Sequence, residues 1–108
     1  DVVTIHVPLT PQTKHMIGAQ EILFMKKGAF LINTSRGAIV DEKALLDALK
    51  SGKLGGAALD VYEIEPPKNL SVIRLPNVVC TPHIGAQTES THRMTAVSIA
   101  EKIVNAFA

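Results

Sequence analysis

The sequence is poor in the residues that several classes of protein need. Its 108 residues contain one cysteine, no tryptophan and an aromatic share of 4%. A single cysteine excludes an internal disulfide and is typical of a reducing compartment, so we predict a cytoplasmic protein. Lys and Arg number 11 against 10 Asp and Glu, and this net charge of +1 predicts no nucleic-acid partner. No apolar run approaches the roughly 20 residues of a membrane span, so no membrane partner is predicted either.

Glycine and histidine patterns are also incomplete for two common kinds of site. The chain has seven glycines, and no arrangement of them gives the G-x-G-x-x-G turn that holds a dinucleotide pyrophosphate. His6 with His15, and His83 with His92, do not have the spacing of metal ligands, so no metal site is predicted. His15 and His92 match no motif, and we expect both to face solvent.

The chain does contain an alternation of strand-like and helix-like segments, which is typical of a parallel sheet flanked by helices. Asp41 is expected to cap the N-terminus of the clearest helix, and Gly52 to end it. Strands are predicted over residues 2–7, 29–33, 56–61 and 77–81, and further helices over 19–26 and 88–107. The predicted fold class is therefore α/β, with about four strands.

Three of the predicted strands are followed by side chains that carry chemistry. Arg36 follows the second strand, Glu65 the third and His83 the fourth. In an open α/β sheet ligands bind at the carboxyl ends of the strands, so we expect these side chains at one edge. Arginine offers a planar fork that matches a carboxylate, histidine exchanges a proton near neutral pH, and a glutamate can raise the basicity of that histidine. The trio predicts a proton-coupled reaction on a small carboxylate substrate.

On spacing alone, each of these residues also has a simpler interpretation. Arg36 could be a solvated surface charge, because most arginines are exposed. His83 could be a turn residue after Pro82, and Glu65 could be no more than a polar loop residue, as Glu63 is expected to be.

Several linked segments resemble the D-isomer-specific 2-hydroxyacid dehydrogenases, in the order and at the spacings of that family. They are HVPLT at 6–10, MKKGAFLINTSRG at 25–37, GGAALDVY at 55–62, EPP at 65–67 and TPHIGA at 81–86. Within this family, the motifs most resemble those of the branch that acts on D-3-phosphoglycerate. The resemblance implies half of a Rossmann-like, doubly wound parallel sheet. It also implies that residues 1–108 form part of an NAD-binding domain, with the glycine turn and the substrate domain elsewhere in a longer protein.

The resemblance also implies a role for each site residue. Arg36 would hold the substrate carboxylate, His83 would remove the hydroxyl proton as hydride passes to NAD, and Glu65 would orient the imidazole. The family places its acid directly before a proline, which selects Glu65 and leaves Glu63 as loop polarity only. Asp60 would accept a hydrogen bond from the nicotinamide carboxamide. The cofactor-binding set implied in this way is Val7, Pro8, Thr34, Arg36, Asp60, His83, Gly85 and Ala86.

The predicted function is an NAD-dependent oxidoreductase that interconverts a D-2-hydroxy acid and its 2-oxo acid, in a longer protein that forms a homo-oligomer. D-3-phosphoglycerate is the expected substrate, with glycerate and lactate left open, as is the choice of NAD over NADP. We expect the isolated 108 residues to be inactive. The alternative is a catalytically inactive fragment, or a half-domain that associates with itself.

Overall fold

A computed structural model describes residues 1–108, and its four strands form one sheet in which neighbours follow chain order. All three strand pairs are parallel. The strands are β1 (Val2–Ile5), β2 (Ala29–Asn33), β3 (Leu54–Leu59) and β4 (Val78–Cys80), and the helices are α1 (Ala19–Phe24), α2 (Glu42–Lys50) and α3 (Glu89–Phe107). The predicted α/β class is confirmed. None of these helices is both long and apolar enough to cross a bilayer.

Three of the four predicted strands have wrong boundaries, because strand pairing sets where each strand begins and ends. The first strand ends at Ile5, which pairs with the last residue of β2, so residues 6 and 7 have no ladder partner. The third strand covers Leu54–Leu59 instead of residues 56–61, because its first and last residues pair with Ala29 and Asn33 of β2. The fourth strand covers only residues 78–80, which pair with β3.

The helix signals in the sequence are largely confirmed. The Asp41 carboxylate accepts hydrogen bonds from the backbone N–H groups of Lys43 and Ala44, at 2.9 and 3.0 Å, and caps α2. Such a cap contributes about 1 kcal/mol. Gly52 follows α2 with a φ of +73°, a left-handed conformation that glycine adopts readily. The predicted helix 19–26 is two residues too long, because Met25 is already extended and its N–H bonds back to Ile22.

Side chains alternate between the two faces of the sheet along each strand. The core lies on the face against which α1 and α2 pack. Leu31 of β2 and Leu59 of β3 pack there against Ile22 of α1 and Leu45 of α2. The opposite face is open: Phe30 is 51% exposed and Val79 of β4 is 68% exposed, and α3 has no buried residue. The chain measures 58 × 27 × 27 Å. The segments that follow β2, β3 and β4 lie at one edge of this sheet.

Candidate active site

The carboxyl edge of the sheet brings two of the three predicted site residues into direct contact. His83 Nδ1 lies 2.6 Å from Glu65 Oε2, although the two residues are 18 positions apart in sequence. Their side chains are 45% and 37% exposed, so the pair is accessible to a small molecule. The second glutamate oxygen, Oε1, accepts from the backbone N–H of Tyr62 at 3.1 Å. The glutamate is therefore held on one side by backbone and faces the imidazole on the other.

The contact between His83 and Glu65 favours the charged form of Glu65 and leaves Nε2 of His83 without a partner in the pair. The hydrogen bond from His83 holds the pKa of the Glu65 carboxyl below its ordinary value, against the opposing effect of burial. A carboxylate next to Nδ1 favours the tautomer in which Nδ1 carries the proton. Nε2 of His83 then remains available to accept a proton from a ligand.

The turn that carries His83 is fastened to a buried carboxylate. Asp60, 4% exposed, lies directly after β3. Its Oδ1 accepts from the Thr81 hydroxyl at 2.6 Å and the Ile84 N–H at 2.8 Å, and its Oδ2 accepts from the Gly85 N–H at 2.8 Å. Burial acts to raise the pKa of Asp60, but these three hydrogen bonds outweigh it and lower the pKa. His83 itself has a φ of +57°, so this turn needs such fastening.

Tyr62 provides a second connection between the ends of β3 and β4, which the sequence patterns did not indicate. Its buried hydroxyl donates to the backbone oxygen of Thr81 at 2.7 Å. Burial, with a contribution from Cys80, raises the pKa of Tyr62 to about 12, so the hydroxyl stays protonated as a donor. Tyr62 also lines a cavity of about 250 Å³ beside the imidazole, together with Glu65, Pro66, Pro67, Pro82 and His83.

Arg36 lies at the same edge, after β2, and its side chain is exposed. Its Nη1 donates to the backbone oxygen of Ser35 at 2.7 Å, and no carboxylate of the chain lies within 4.0 Å of the guanidinium. The guanidinium therefore has N–H donors that can bind a ligand carboxylate through two parallel hydrogen bonds. The structure places Arg36 one strand away from the end of β3, and does not bring it into contact with His83.

The remaining residues of the predicted cofactor set lie at this edge as well. Val7, Pro8, Thr34 and Ala86 are all exposed. Gly85 is exposed, although its N–H is taken by Asp60. The backbone oxygen of Val7 accepts from the Ser35 hydroxyl, which joins the loop after β1 to the turn after β2.

The prediction that Glu63 is loop polarity only is wrong. Its Oε1 accepts from the backbone N–H of Glu42 at 2.9 Å, and Glu42 Oε1 accepts in return from the N–H of Glu63 at 2.8 Å. This reciprocal pair ties the N-terminus of α2 to the loop that carries Glu65. His15 is 41% exposed, but its Nε2 lies 3.2 Å from Glu63 Oε1, so it is not simply solvent-facing. His92 is exposed as predicted.

The chain is similar to proteins of one known family. Residues 1–85 match the family model described as "D-isomer specific 2-hydroxyacid dehydrogenase, NAD binding domain". The chain belongs to this family. The resemblance found in the sequence motifs is therefore confirmed, and NAD is the cofactor of this domain type.

Several members of the family are similar over almost the whole chain. D-3-phosphoglycerate dehydrogenase of Methanocaldococcus jannaschii is 52% identical over 103 residues, which are 95% of this chain and 20% of that protein. Glyoxylate reductase of Thermococcus litoralis is 50% identical over 104 residues, 96% of this chain and 31% of that protein. The chain thus spans between a fifth and a third of the length of these relatives.

A solved structure of the family shows the same fold. The D-isomer specific 2-hydroxyacid dehydrogenase of Lactobacillus delbrueckii ssp. bulgaricus, in its NAD complexed form, is 35% identical to this chain. The two superpose with a TM-score of 0.87, over 100% of this chain and 38% of that one. The Rossmann-like expectation is therefore confirmed.

The residues of this chain fit one end of NAD and not the other. The carboxyl edge offers exposed hydroxyl and guanidinium groups, together with an imidazole beside a cavity, which suits the polar carboxamide and flat ring of nicotinamide. The glycine turn that would hold the pyrophosphate is not among the 108 residues.

Proposed function

We propose that this chain carries the acid–base and carboxylate-binding residues of an NAD-dependent dehydrogenase that interconverts a D-2-hydroxy acid and its 2-oxo acid. The observation that supports this proposal is the Glu65–His83 pair at 2.6 Å, accessible and next to a cavity, at the edge that also presents Arg36. We further propose that residues 1–108 form part of the NAD-binding domain of a longer, cytoplasmic protein. The single cysteine supports that compartment.

The roles of the residues follow from their free atoms. In the oxidation direction, Nε2 of His83 takes the proton of the substrate hydroxyl, because Nδ1 is engaged by Glu65. The imidazole becomes positively charged as it does so, and the adjacent carboxylate stabilises that charge. Arg36 binds the substrate carboxylate with its unpaired donors, which orients the hydroxyl toward His83. In the reverse direction the protonated imidazole returns the proton to the carbonyl oxygen.

NAD, when bound, would accept the hydride in the oxidation direction. Val7, Pro8, Thr34, Gly85 and Ala86 would surround its nicotinamide end at the carboxyl edge. Oδ2 of Asp60 already accepts one hydrogen bond, so it could take the carboxamide only as a second donor.

For the substrate, we propose D-3-phosphoglycerate. The similarity to a D-3-phosphoglycerate dehydrogenase at 52% identity supports this choice. The chain is almost as similar to a glyoxylate reductase, at 50%. The test is therefore a substrate profile: NADH oxidation by the full-length protein with phosphohydroxypyruvate, hydroxypyruvate, glyoxylate and pyruvate. A protein that oxidises NADH with none of them would overturn the proposed function.

The roles of the two charged residues are tested by substitution in the same assay. His83→Gln should lower kcat by about 10²–10⁴-fold, because a positioned acid–base group is worth that much. Arg36→Ala should mainly raise KM for the 2-oxo acid. His92→Gln and Arg74→Ala are the matched controls, since both side chains are exposed and lie outside the site. Near-normal turnover in His83→Gln would contradict the proposed proton transfer.

A second proposal concerns assembly. We propose that copies of the protein associate into a homo-oligomer, and that the isolated chain self-associates as an inactive half-domain. The open face of the sheet and α3, which has no buried residue, support this, because large exposed apolar patches are typical of interaction surfaces.

A further inference from the structure

The turn that presents Arg36 is closed by a buried side chain outside the predicted site. Asn33, the last residue of β2, is only 1% exposed. Its Oδ1 accepts from the Ser35 N–H at 3.1 Å, and its Nδ2 donates to the backbone oxygen of Arg36 at 3.0 Å. Asparagine forms such local hydrogen bonds readily in turns. The two bonds connect the Asn33 side chain to the backbone of Ser35 and Arg36, and so restrict the conformation of the turn.

The residue after Arg36 has no room for a side chain. A Cβ atom on Gly37 would lie 1.9 Å from the carbonyl carbon of Tyr62, 2.0 Å from its oxygen and 2.5 Å from the Glu63 nitrogen. These neighbours are backbone atoms, so they cannot move aside as a flexible side chain would. Glycine is required here by the close approach of two backbone segments.

Two backbone contacts connect the turn at residues 33–37 to the Glu65–His83 pair. Tyr62, against which Gly37 packs, donates its N–H to Glu65. The backbone oxygen of Asn33 accepts from the Asp60 N–H at 3.0 Å, and Asp60 fastens the turn that carries His83. The segment 33–37 is therefore in contact with the backbone that positions each member of the pair.

We infer that Asn33 and Gly37 are positioning residues, which together hold the backbone from which the Arg36 side chain projects in place relative to the Glu65–His83 pair. The inference rests on the proposed function, in which the guanidinium binds one end of the substrate and the imidazole meets the other. Substrate geometry demands such precision, because a misplacement of about 1 Å can cost roughly 10²-fold in rate. A long exposed arginine cannot supply that precision by itself, since its side chain has many rotamers.

Two substitutions test the two contacts separately. Asn33→Asp keeps the shape and the acceptor for Ser35, but replaces the donor to Arg36 by an oxygen. Gly37→Ala places a methyl group against Tyr62. Their matched controls lie at the opposite edge of the sheet. Asn77→Asp removes a donor to Gly55, and Gly55→Ala places a methyl group 2.5 Å from the backbone oxygen of Gly28.

The first readout is kinetic and uses the full-length protein. Asn33→Asp should raise KM for the 2-oxo acid about tenfold and change kcat much less, because the bond it removes is to the backbone of Arg36 and not to the Glu65–His83 pair. Gly37→Ala should raise KM and lower kcat together, because it disturbs Arg36 and Tyr62 at once. Both control variants should keep the wild-type values. The inference is wrong if Asn33→Asp and Gly37→Ala behave like their controls.

The second readout needs no activity and separates this inference from the proposed function. The carboxyl ¹³C signal of Glu65 is followed against pH by NMR in the full-length protein. In Gly37→Ala the pKa of Glu65 should rise toward its ordinary 4.5, while Gly55→Ala should leave it low. A wild type without dehydrogenase activity would overturn the proposed function, whereas an unchanged Glu65 titration in a folded Gly37→Ala variant would overturn the connection drawn here. If that variant does not fold, the Arg36 guanidinium ¹⁵N signals of Asn33→Asp decide: they should move relative to wild type, and unmoved signals would refute the inference.

Discussion

Replacing Asp60 by asparagine is expected to loosen the turn that carries His83. The carboxylate accepts three hydrogen bonds, two at Oδ1 and one at Oδ2. An asparagine oxygen can keep the pair from Thr81 and Ile84, but its amide nitrogen would then face the Gly85 N–H, donor against donor. A hydrogen bond to a charged group contributes roughly 1.5–3 kcal/mol, so the free energy of unfolding should fall by about 2–3 kcal/mol. That is a large share of the roughly 5–15 kcal/mol typical of a whole domain.

The effect should also depend on pH with a defined sign. The pKa of Asp60 in the folded protein lies below the ordinary 3.8. A carboxyl of this kind stabilises the fold fully at pH values above its unfolded-state pKa, and the stabilisation is lost as the pH falls through the folded-state value. The difference between wild type and Asp60→Asn should therefore be constant from neutral pH down to about pH 5 and shrink in more acidic buffer.

Urea unfolding followed by circular dichroism, at one fixed protein concentration, measures this difference. Asp47→Asn is the control, because Asp47 forms only an exposed ion pair with Lys43 on α2. Amide hydrogen exchange gives a local check, since the N–H groups of Ile84 and Gly85 should exchange faster in Asp60→Asn. A loss below about 1 kcal/mol at neutral pH, or a loss that does not shrink in acid, would refute the reasoning.

Three further outcomes are expected. The isolated 108-residue chain should bind NAD more weakly than micromolar, because the pyrophosphate turn is not among its residues; calorimetric titration with a tighter constant would contradict this. The same chain should form oligomers through the β1 edge, α3 or both, and a stable monomer in size-exclusion chromatography with light scattering would show that its exposed apolar surfaces are tolerated. His83→Gln should raise the pKa of Glu65, because its largest stabilising partner is the imidazole; a carboxyl titration unchanged by the substitution would mean that the pair does not form in solution.

Much of the site could be predicted from the sequence because parallel strands impose a simple geometry. Successive strands that run the same way must end at the same edge, so Arg36, Glu65 and His83 were placed at one edge by their positions after apolar runs. Local features could also be predicted, because the Asp41 cap and the Gly52 turn depend on backbone groups only a few residues away. The family motifs then selected Glu65 over Glu63 as the acid.

Contacts between loops were decided only by the tertiary structure. Glu63 bonds to Glu42, 21 residues away, and the His83 turn is held by Asp60, 24 residues from Ile84. The need for glycine at position 37 depends on the backbone of Tyr62, which no local pattern can report. Residue periodicity records which side of an element is buried, whereas the meeting of two loops depends on the order, length and register of the strands that carry them. The sequence therefore determined which groups stand at the edge of the sheet, and the fold decided which of them touch.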